Sequence, residues 1–466
     1  MGQAGFVMKR RVFVRRSLIP ASAEEVYRWH ARPGAFERLN PPWDPAIVES
    51  RSGGIEDEGA RVVLRVGPTR QRFVADHFGA VPGREFHDRQ VSGPFALWHH
   101  THRMTPESAG ACTLEDRIEY SLPAGAAGDL VGGGVVGGLL ERMFTYRHRV
   151  TADDLAAHAA CRERRPMKVA ITGASGLVGT ALSPFLTTGG HEVVRLVRRA
   201  PKAKDEAFWD PDAGTIDAAV LEGLDAVVHL AGENVAGGRW TEARKALLRS
   251  SRIGPTRFLM ETLARLKRKP RVVVSASAIG YYGDRGTEWV SEKDAPADDF
   301  LGRLAADWEG AAAPAARTRL RVVNLRTGIV LSPAGGALGK MLLPFKAGLG
   351  GVLGPGTQYM SWVAIDDLLG IIHHALDRDD LGGPLNAVAP APVTNAEFTK
   401  VLGRVLGRPT IAAVPAFALR LALGEMADAM VLSSTRVRAE RLTATGYRFR
   451  FPDLEGALRH LLGRAA

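Results

Sequence analysis

The sequence predicts two architectures in one chain of 466 residues, an α+β domain followed by an α/β domain with a doubly wound parallel sheet. Residues 61–122 contain successive strand-like segments and lead into a long helical pattern, which is typical of an antiparallel sheet closed by a helix. From residue 167 onward, apolar strands alternate with helical segments, the pattern of a parallel sheet covered by helices. The length also favours more than one domain.

The composition is that of a globular protein, with 45% hydrophobic and 24% charged residues. The glycine-rich stretch 124–140 is too short and too interrupted to predict a membrane span. Residues 1–16 lack the apolar segment of a secretion signal, and the two cysteines have no metal-like spacing. These features predict a cytoplasmic protein without a membrane span.

The net charge of +11 raises the question of nucleic-acid binding. The basic residues are scattered in short groups without interleaved aromatic residues or a nucleic-acid motif. We therefore expect a small-molecule substrate and no nucleic-acid partner.

The first part of the chain begins with a predicted strand over 11–19, followed by a helix that Ser22 and Glu25 open as a capping box. A glycine-rich loop then precedes a long amphipathic helix predicted from about 138 to 160. Between them lie predicted strands at 61–67, 70–81, 84–92, 95–104 and 112–122.

This order of elements resembles the START-like, helix-grip family of ligand-binding and polyketide-cyclase-type domains. The resemblance implies a curved sheet wrapped on a long helix, enclosing a pocket for an apolar ligand. The alternative is a helix-packed sheet whose interior is simply filled. We place this domain at 1–161 and a polar, proline-terminated linker at 162–166.

Three histidines, His99, His100 and His102, lie in the predicted strand 95–104, and the last two project from one face. No carboxylate or cysteine nearby in the sequence completes a ligand set. We therefore expect hydrogen-bonded or solvent-facing histidines and no metal site.

A phosphate-binding turn is predicted where the strand Val169–Thr172 meets a helix that starts near Leu177. Glycines at every third position allow a tight turn and close approach of a pyrophosphate to the helix N-terminus. A second strand over 191–197 completes a βαβ unit. The predicted cofactor-binding residues here are Gly173, Ala174, Ser175, Gly176, Leu177, Val178 and Gly179.

The residues that follow the second strand bear on the choice of cofactor. Arg198 and Arg199 stand where an NAD-binding chain usually offers a carboxylate to the ribose 2′-hydroxyl. Two guanidinium groups favour a 2′-phosphate, so we predict NADP(H). The alternative is that both arginines are solvated surface charges.

The glycine spacing resembles the extended short-chain dehydrogenase/reductase superfamily, and motifs over about 167–463 resemble its epimerase family. They include GASGLVG, HLAGENVAGGRW, SRIGPT, SASAIGYYG, LRTGIVL and SWVAIDD. The resemblance implies a cytosolic Rossmann-type NADP-binding domain over 167–389 and a helical lobe over 390–466. It also implies cofactor contacts from Leu230, Ala231, Gly232, Arg252, Ser275 and Ile329.

The acid/base residues of that superfamily are not where the resemblance leads us to look. The superfamily mechanism uses a Tyr-x-x-x-Lys pair on the helix after the fifth strand, yet residues 299–309 contain neither residue. Tyr281 or Tyr282, helped by Ser277, would then take the catalytic role, or no such chemistry occurs.

Two functions remain open on the sequence. One is an NADP(H)-dependent epimerase or oxidoreductase that transfers hydride on an unidentified carbonyl or alcohol substrate. The other is a non-catalytic nucleotide-binding sensor or partner-binding protein that holds an apolar ligand in its first domain.

Overall fold

The structure is a computed structural model that describes residues 9–67, 69–123, 125–161, 165–316, 318 and 320–464. The chain forms two compact units, the first essentially residues 9–160 and the second essentially residues 161–461. Within the described part, none of the helices combines the length and the apolar character needed to cross a membrane. Most of the predicted linker, residues 162–164, lies outside the described residues.

The first unit is built on one antiparallel sheet of seven strands, in the order β1-β7-β6-β5-β4-β3-β2. Its strands are β1 (Arg11–Ile19), β2 (Ile47–Arg51), β3 (Arg61–Val66), β4 (Gln71–Val81), β5 (Glu85–Ser92), β6 (Leu97–Ser108) and β7 (Ala111–Ser121). Its helices are α1 (Ala23–Ala31), α2 (Ala35–Leu39) and α3 (Gly125–Ala159).

The predicted elements of this unit are largely confirmed, with two corrections. Strand β2 was not predicted, because its exposed residues show no apolar alternation. The prediction of a glycine-rich loop before the long helix is wrong, because α3 already begins at Gly125. Glycine disfavours a helix by only about 1 kcal/mol per residue, which the rest of a 35-residue helix can offset.

Alternation along the strands places one face of the sheet against the helices. In β7, Leu114, Ile118 and Tyr120 are buried, as the apolar period predicts. Ile118 and Tyr120 pack with Leu140 and Phe144 of α3. This contact fixes the long helix on the sheet.

The second unit is built on an eight-stranded sheet in the order β11-β10-β9-β8-β12-β13-β15-β19, parallel except for β11. The strands of this unit are β8 (Lys168–Thr172), β9 (Glu192–Val197), β10 (Glu206–Asp210), β11 (Thr215–Ile216), β12 (Ala226–His229), β13 (Val272–Ala278), β14 (Trp289–Val290), β15 (Arg321–Thr327), β16 (Ile329–Leu331), β17 (Tyr359–Met360), β18 (Trp362–Ala364), β19 (Gly383–Ala387), β20 (Val393–Thr394) and β21 (Arg436–Val437).

Helices separate most of these strands. They are α4 (Leu177–Thr188), α5 (Ala218–Leu221), α6 (Glu242–Arg265), α7 (Phe300–Ala311), α8 (Ala313–Ala316), α9 (Gly336–Lys346), α10 (Ile365–Asp377), α11 (Asn395–Leu406), α12 (Ala416–Leu423), α13 (Glu440–Ala444) and α14 (Leu454–Leu461). A capping box of Thr394 and Glu397 opens α11.

The strand order reverses between β8 and β12, which lie side by side although helix α4 and strands β9 to β11 separate them in the chain. In an open α/β sheet, ligands bind beyond the carboxyl ends of the strands at such a reversal. The predicted Rossmann-type sheet and the helical C-terminal region are confirmed. The fold therefore brings the end of β8 and the end of β12 to one site.

Candidate functional site

The turn after β8 is too tight for side chains at two of its three glycines. Gly173 has a φ of +67°, and a Cβ there would lie 2.8 Å from the carbonyl carbon and oxygen of Leu230. A Cβ on Gly179 would lie 2.4 Å from the carbonyl oxygen of Gly173. By contrast, Ser175 and Gly176 are exposed at the start of α4. The backbone there is open to a phosphate group at a helix N-terminus.

Buried side chains fix the facing turn after β12. The hydroxyl of Thr172 accepts hydrogen bonds from the backbone N–H groups of Leu230 and Ala231, at 3.1 and 3.2 Å. Nδ1 of His229 lies 2.7 Å from the same hydroxyl, and its Nε2 lies 2.9 Å from the hydroxyl of Thr256. Burial lowers the pKa of His229 to about 4, so the ring is neutral. These contacts hold the predicted Leu230–Gly232 turn beside Gly173.

Arg252 supports the same turn from helix α6. Its guanidinium donates to the carbonyl oxygen of Glu233 at 2.8 Å and stacks over Trp308 at 4.9 Å. Burial lowers its pKa to about 10. A Cβ on Gly232 would lie 3.4 Å from the Arg252 guanidinium carbon, so the two groups are neighbours.

The two arginines after β9 have different surroundings. Arg199 donates to both carboxylate oxygens of Glu206, at 2.8 and 2.6 Å. Arg198 is exposed and has no hydrogen-bond or ion-pair partner among the described residues. Arg198 is therefore the guanidinium that remains open to an added anion.

The carboxyl end of β13 carries a buried polar network that the sequence did not reveal. The Ser277 hydroxyl donates to Oε1 of Glu309 at 2.7 Å. Arg326 donates to both oxygens of Glu309, at 2.8 and 2.9 Å. The Arg326 and Glu309 side chains are only 3% and 12% exposed. Ser275, two residues earlier on β13, is also buried.

The two predicted catalytic tyrosines differ in their access to solvent. Tyr282 is fully buried, donates to Asn386 at 2.7 Å and accepts from Arg326 at 3.0 Å. Burial raises its pKa to about 12. Tyr281 is only half-buried, and the Arg326 guanidinium lies 3.5 Å from the centroid of its ring.

The remaining predicted cofactor contact, Ile329, is the first residue of β16 and pairs with Trp362 of β18. Glu309, Arg326 and Asn386 were missed because each is distant in sequence from Ser277 and Tyr282. A partial signal was Arg326 itself, a charged residue near the carboxyl end of β15. Strand pairing places Arg326 directly beside Ser277.

The first unit contains a separate cavity of about 760 Å³ between the sheet and helices α2 and α3. Apolar side chains line most of it, among them Leu64, Phe73, Phe95, Leu140 and Met143. The interior of this unit is therefore not simply filled.

Asp88, His100 and His102 also line this cavity, and their contacts correct part of the prediction for the histidines. His100 and His102 are hydrogen-bonded or in close contact with two carboxylates, Asp88 and Asp116. The prediction that no carboxylate lies nearby is wrong, because strand pairing brings in residues 12 to 16 positions away. Burial opposes the charged form, yet Asp88 and Asp116 raise the pKa of His100 to about 9.

Comparison with known proteins follows this division of the chain. Residues 169–388 match the model of the NAD dependent epimerase/dehydratase family. An epimerase family protein of Mycobacterium bovis is 44% identical over 290 residues, which cover 62% of this chain and 96% of that protein. The chain belongs to this family. Epimerase family protein SDR39U1 of Homo sapiens is 39% identical over 300 residues, covering 64% of this chain and all of that protein.

Solved structures of epimerase family members extend the comparison. A protein described as the nucleoside-diphosphate sugar epimerase from Corynebacterium glutamicum is 35% identical, with a TM-score of 0.80 over 97% of this chain and 90% of its own. The structure of human SDR39U1 with NADPH is 36% identical, with a TM-score of 0.59 over 64% of this chain and 99% of its own.

The regions outside the family core also match models. Residues 19–144 match the model described as polyketide cyclase / dehydrase and lipid transport. Residues 414–461 match a domain of unknown function. The predicted resemblance to a polyketide-cyclase-type domain joined to an epimerase family member is confirmed.

Proposed function

We propose that this epimerase family member binds NADP(H) in its second unit and catalyses hydride transfer on a carbonyl or alcohol carbon of a small molecule. The observation that carries the choice of cofactor is Arg198, an exposed guanidinium without a partner among the described residues, at the end of β9. The human relative whose structure contains NADPH supports the same choice.

The residues around the β8 turn fit a dinucleotide. The backbone from Gly173 to Gly179 leaves no room for a Cβ at its two ends, and helix α4 begins within it. The pyrophosphate would lie on the amides at the start of α4, and the 2′-phosphate would lie beside Arg198. When bound, the nicotinamide supplies or accepts the hydride.

Proton transfer to the substrate oxygen is the role we assign to Tyr281. Tyr282 is enclosed and its hydroxyl proton is directed to Asn386, so it has no access to a substrate. Ser277 donates its proton to Glu309. Tyr281 is half-buried and lies against the Arg326 guanidinium, whose charge would stabilise a phenolate.

The cofactor assignment is tested by titrating the full-length protein with NADPH and NADH, using fluorescence. Arg198→Gln removes a charge-assisted contact of about 1.5–3 kcal/mol, so NADPH should bind roughly 10- to 100-fold more weakly while NADH binding stays unchanged. Arg199→Gln is the matched control, since Glu206 already engages that guanidinium. Equal affinity for both nucleotides in the unaltered protein would refute the assignment.

The catalytic assignment needs a second experiment, because binding alone also suits a sensor. NADPH oxidation would be followed over a panel of ketones, aldehydes and nucleotide sugars. Tyr281→Phe should lower the turnover of any active substrate by about 100-fold or more, the usual contribution of a general acid. If no compound is turned over while NADPH binds saturably, the non-catalytic sensor replaces the enzyme.

For the first unit we propose binding of an apolar ligand, because its cavity of about 760 Å³ is of the size that takes a small molecule. A fluorescent fatty-acid probe should bind saturably to the full chain. Met143→Trp, which fills the cavity, should abolish this binding, whereas Val12→Trp on the exposed part of β1 should not. Equal binding by both variants would contradict the proposal.

A further inference from the structure

Three neighbouring strands of the first unit bring two histidines and two carboxylates onto one face of the sheet. His100 and His102 are two residues apart on β6, so both side chains point to the same face of the sheet. In the strand pairing, Asp88 of β5 is opposite His100, and Asp116 of β7 is opposite His102. His100 and Asp116 are almost fully buried, and His102 is 9% exposed.

The two carboxylates stand on opposite sides of the imidazole pair. On one side, Oδ1 of Asp116 lies 2.8 Å from Nε2 of His100 and 2.7 Å from Nδ1 of His102. On the other side, Oδ2 of Asp88 lies 3.1 Å from Nδ1 of His100 and 3.4 Å from Nε2 of His102. Each ring thus lies between the same two carboxylates.

The hydrogen bond to Asp116 places a hydrogen on Nε2 of His100. Asp116 accepts a hydrogen bond from Nε2 of His100, and its second oxygen accepts from His148 at 2.6 Å. Nδ1 of His102 also lies close to this carboxylate, but the angle between the two groups does not allow a hydrogen bond. With a hydrogen on the nitrogen that faces Asp116, each neutral ring presents a lone pair toward Asp88.

The two lone pairs and the Asp88 oxygen converge on a space that suits a cation. Two imidazole lone pairs and a carboxylate oxygen would otherwise face one another at 3.1 and 3.4 Å, with nothing positive between them. Either the rings are protonated or one dication binds all three groups.

The spacing of the three ligand atoms fits a metal ion. Zinc lies about 2.0–2.2 Å from nitrogen and oxygen ligands, so two ligand atoms in a tetrahedral site are about 3.4 Å apart. The Asp88 oxygen is 3.1 and 3.4 Å from the two nitrogens, and all three atoms lie within 4.8 Å of one another.

One side of the histidine–aspartate cluster faces the cavity, and the other side does not. Asp88, His100 and His102 line the large cavity of this unit, whereas Asp116 does not. A metal held by two histidines and one carboxylate would therefore keep its remaining coordination positions toward the cavity. Asp116 would orient both imidazoles from behind, as the outer carboxylate of many histidine–metal sites does.

We propose that Asp88, His100 and His102 bind one divalent transition-metal ion, of the Zn(II) or Fe(II) class, at the wall of the cavity that they line. The ion takes the place of the protons that the two rings would otherwise carry on the nitrogens facing Asp88. Its open positions accept an oxygen atom of a ligand that occupies the apolar cavity. This site is independent of the dinucleotide site of the second unit.

The test uses full-length protein that has been treated with a chelator and dialysed. Co(II) is titrated first, because its visible absorption reports nitrogen and oxygen coordination in the unaltered protein. Zn(II) and, under anaerobic conditions, Fe(II) are then titrated by calorimetry, with metal content measured by mass spectrometry. We expect the unaltered protein to bind one equivalent more than His102→Gln and Asp88→Asn, and Asp116→Asn to weaken binding by about 10- to 100-fold.

His99→Gln is the matched control, since it removes a histidine from the same strand but from the opposite face of the sheet. It should bind metal like the unaltered protein. Equal metal content in His102→Gln and the unaltered protein, or no Co(II) spectrum in the unaltered protein, would overturn the proposal. The cluster would then be a protonated, hydrogen-bonded network. The Co(II) spectrum decides even if a variant fails to fold, because it requires no substitution.

Discussion

The buried ion pair between Glu309 and Arg326 should be essential for the stability of the second unit. Glu309→Gln keeps the shape of the side chain but removes its charge. Arg326 is 3% exposed and would lose the anion that meets it at 2.8 and 2.9 Å. Breaking one partner of a buried pair leaves an uncompensated charge and costs about 3–5 kcal/mol.

The assay is urea denaturation of the full chain, followed by circular dichroism and tryptophan fluorescence. Glu309→Gln should lower the free energy of unfolding by about 3 kcal/mol or more. The double variant Glu309→Gln with Arg326→Met should recover much of this loss, because the unpaired charge is gone. Asp298→Asn is the control: it breaks an ion pair whose partners are 95% and 61% exposed, so no measurable change is expected.

Two results would refute this reasoning. A loss below about 1 kcal/mol for Glu309→Gln would mean that the pair contributes no more than a surface ion pair. A double variant as unstable as the sum of the single variants would mean that the two side chains act independently.

Two further predictions concern the turns around the cofactor site. Gly179→Ala should lower the free energy of unfolding by about 1–3 kcal/mol, because its Cβ would lie 2.4 Å from the Gly173 oxygen. Gly176→Ala, whose Cβ would lie 3.3 Å from that oxygen, should mainly weaken NADPH binding. Urea denaturation measures the loss of stability, and NADPH titration measures the loss of binding. A larger loss of stability for Gly176→Ala than for Gly179→Ala would contradict the turn geometry. Burial lowers the pKa of His229 from 6.5 to about 4, so on acidification the ring is protonated in the unfolded chain before it is protonated in the folded chain. Lowering the pH from 7 to 5 should therefore reduce the free energy of unfolding by about 2 kcal/mol through this residue. His229→Asn should flatten the dependence over that interval in urea titrations at the two pH values, and an unchanged slope would show that the ring is already protonated.

Local signals in the sequence were sufficient for the framework of both units. The glycine spacing and the apolar run before it predict the β8 turn because only nearby residues determine it. The alternation in residues 112–122 likewise predicts the buried face of β7. A 35-residue helix that starts among glycines was not predictable, since packing on the sheet outweighs the low helix propensity of its first turns.

The polar networks required the structure because they connect distant parts of the chain. Glu309 meets Arg326 across 17 positions, and Tyr282 meets Asn386 across 104. Asp88 and Asp116 are 12 and 14 positions away from the histidines opposite them in the neighbouring strand β6. Sequence spacing alone shows that two histidines share a face, but it does not show which residues face them.

Strand β6 alternates between two very different faces, with His99 and Thr101 on one and His100 and His102 on the other. A slip of one residue along its neighbours would exchange these faces and expose both inner imidazoles. A slip of two residues would keep them inside but move each away from its aspartate. A slip of either kind would therefore eliminate the histidine–aspartate cluster while leaving every one of its four side chains in the protein.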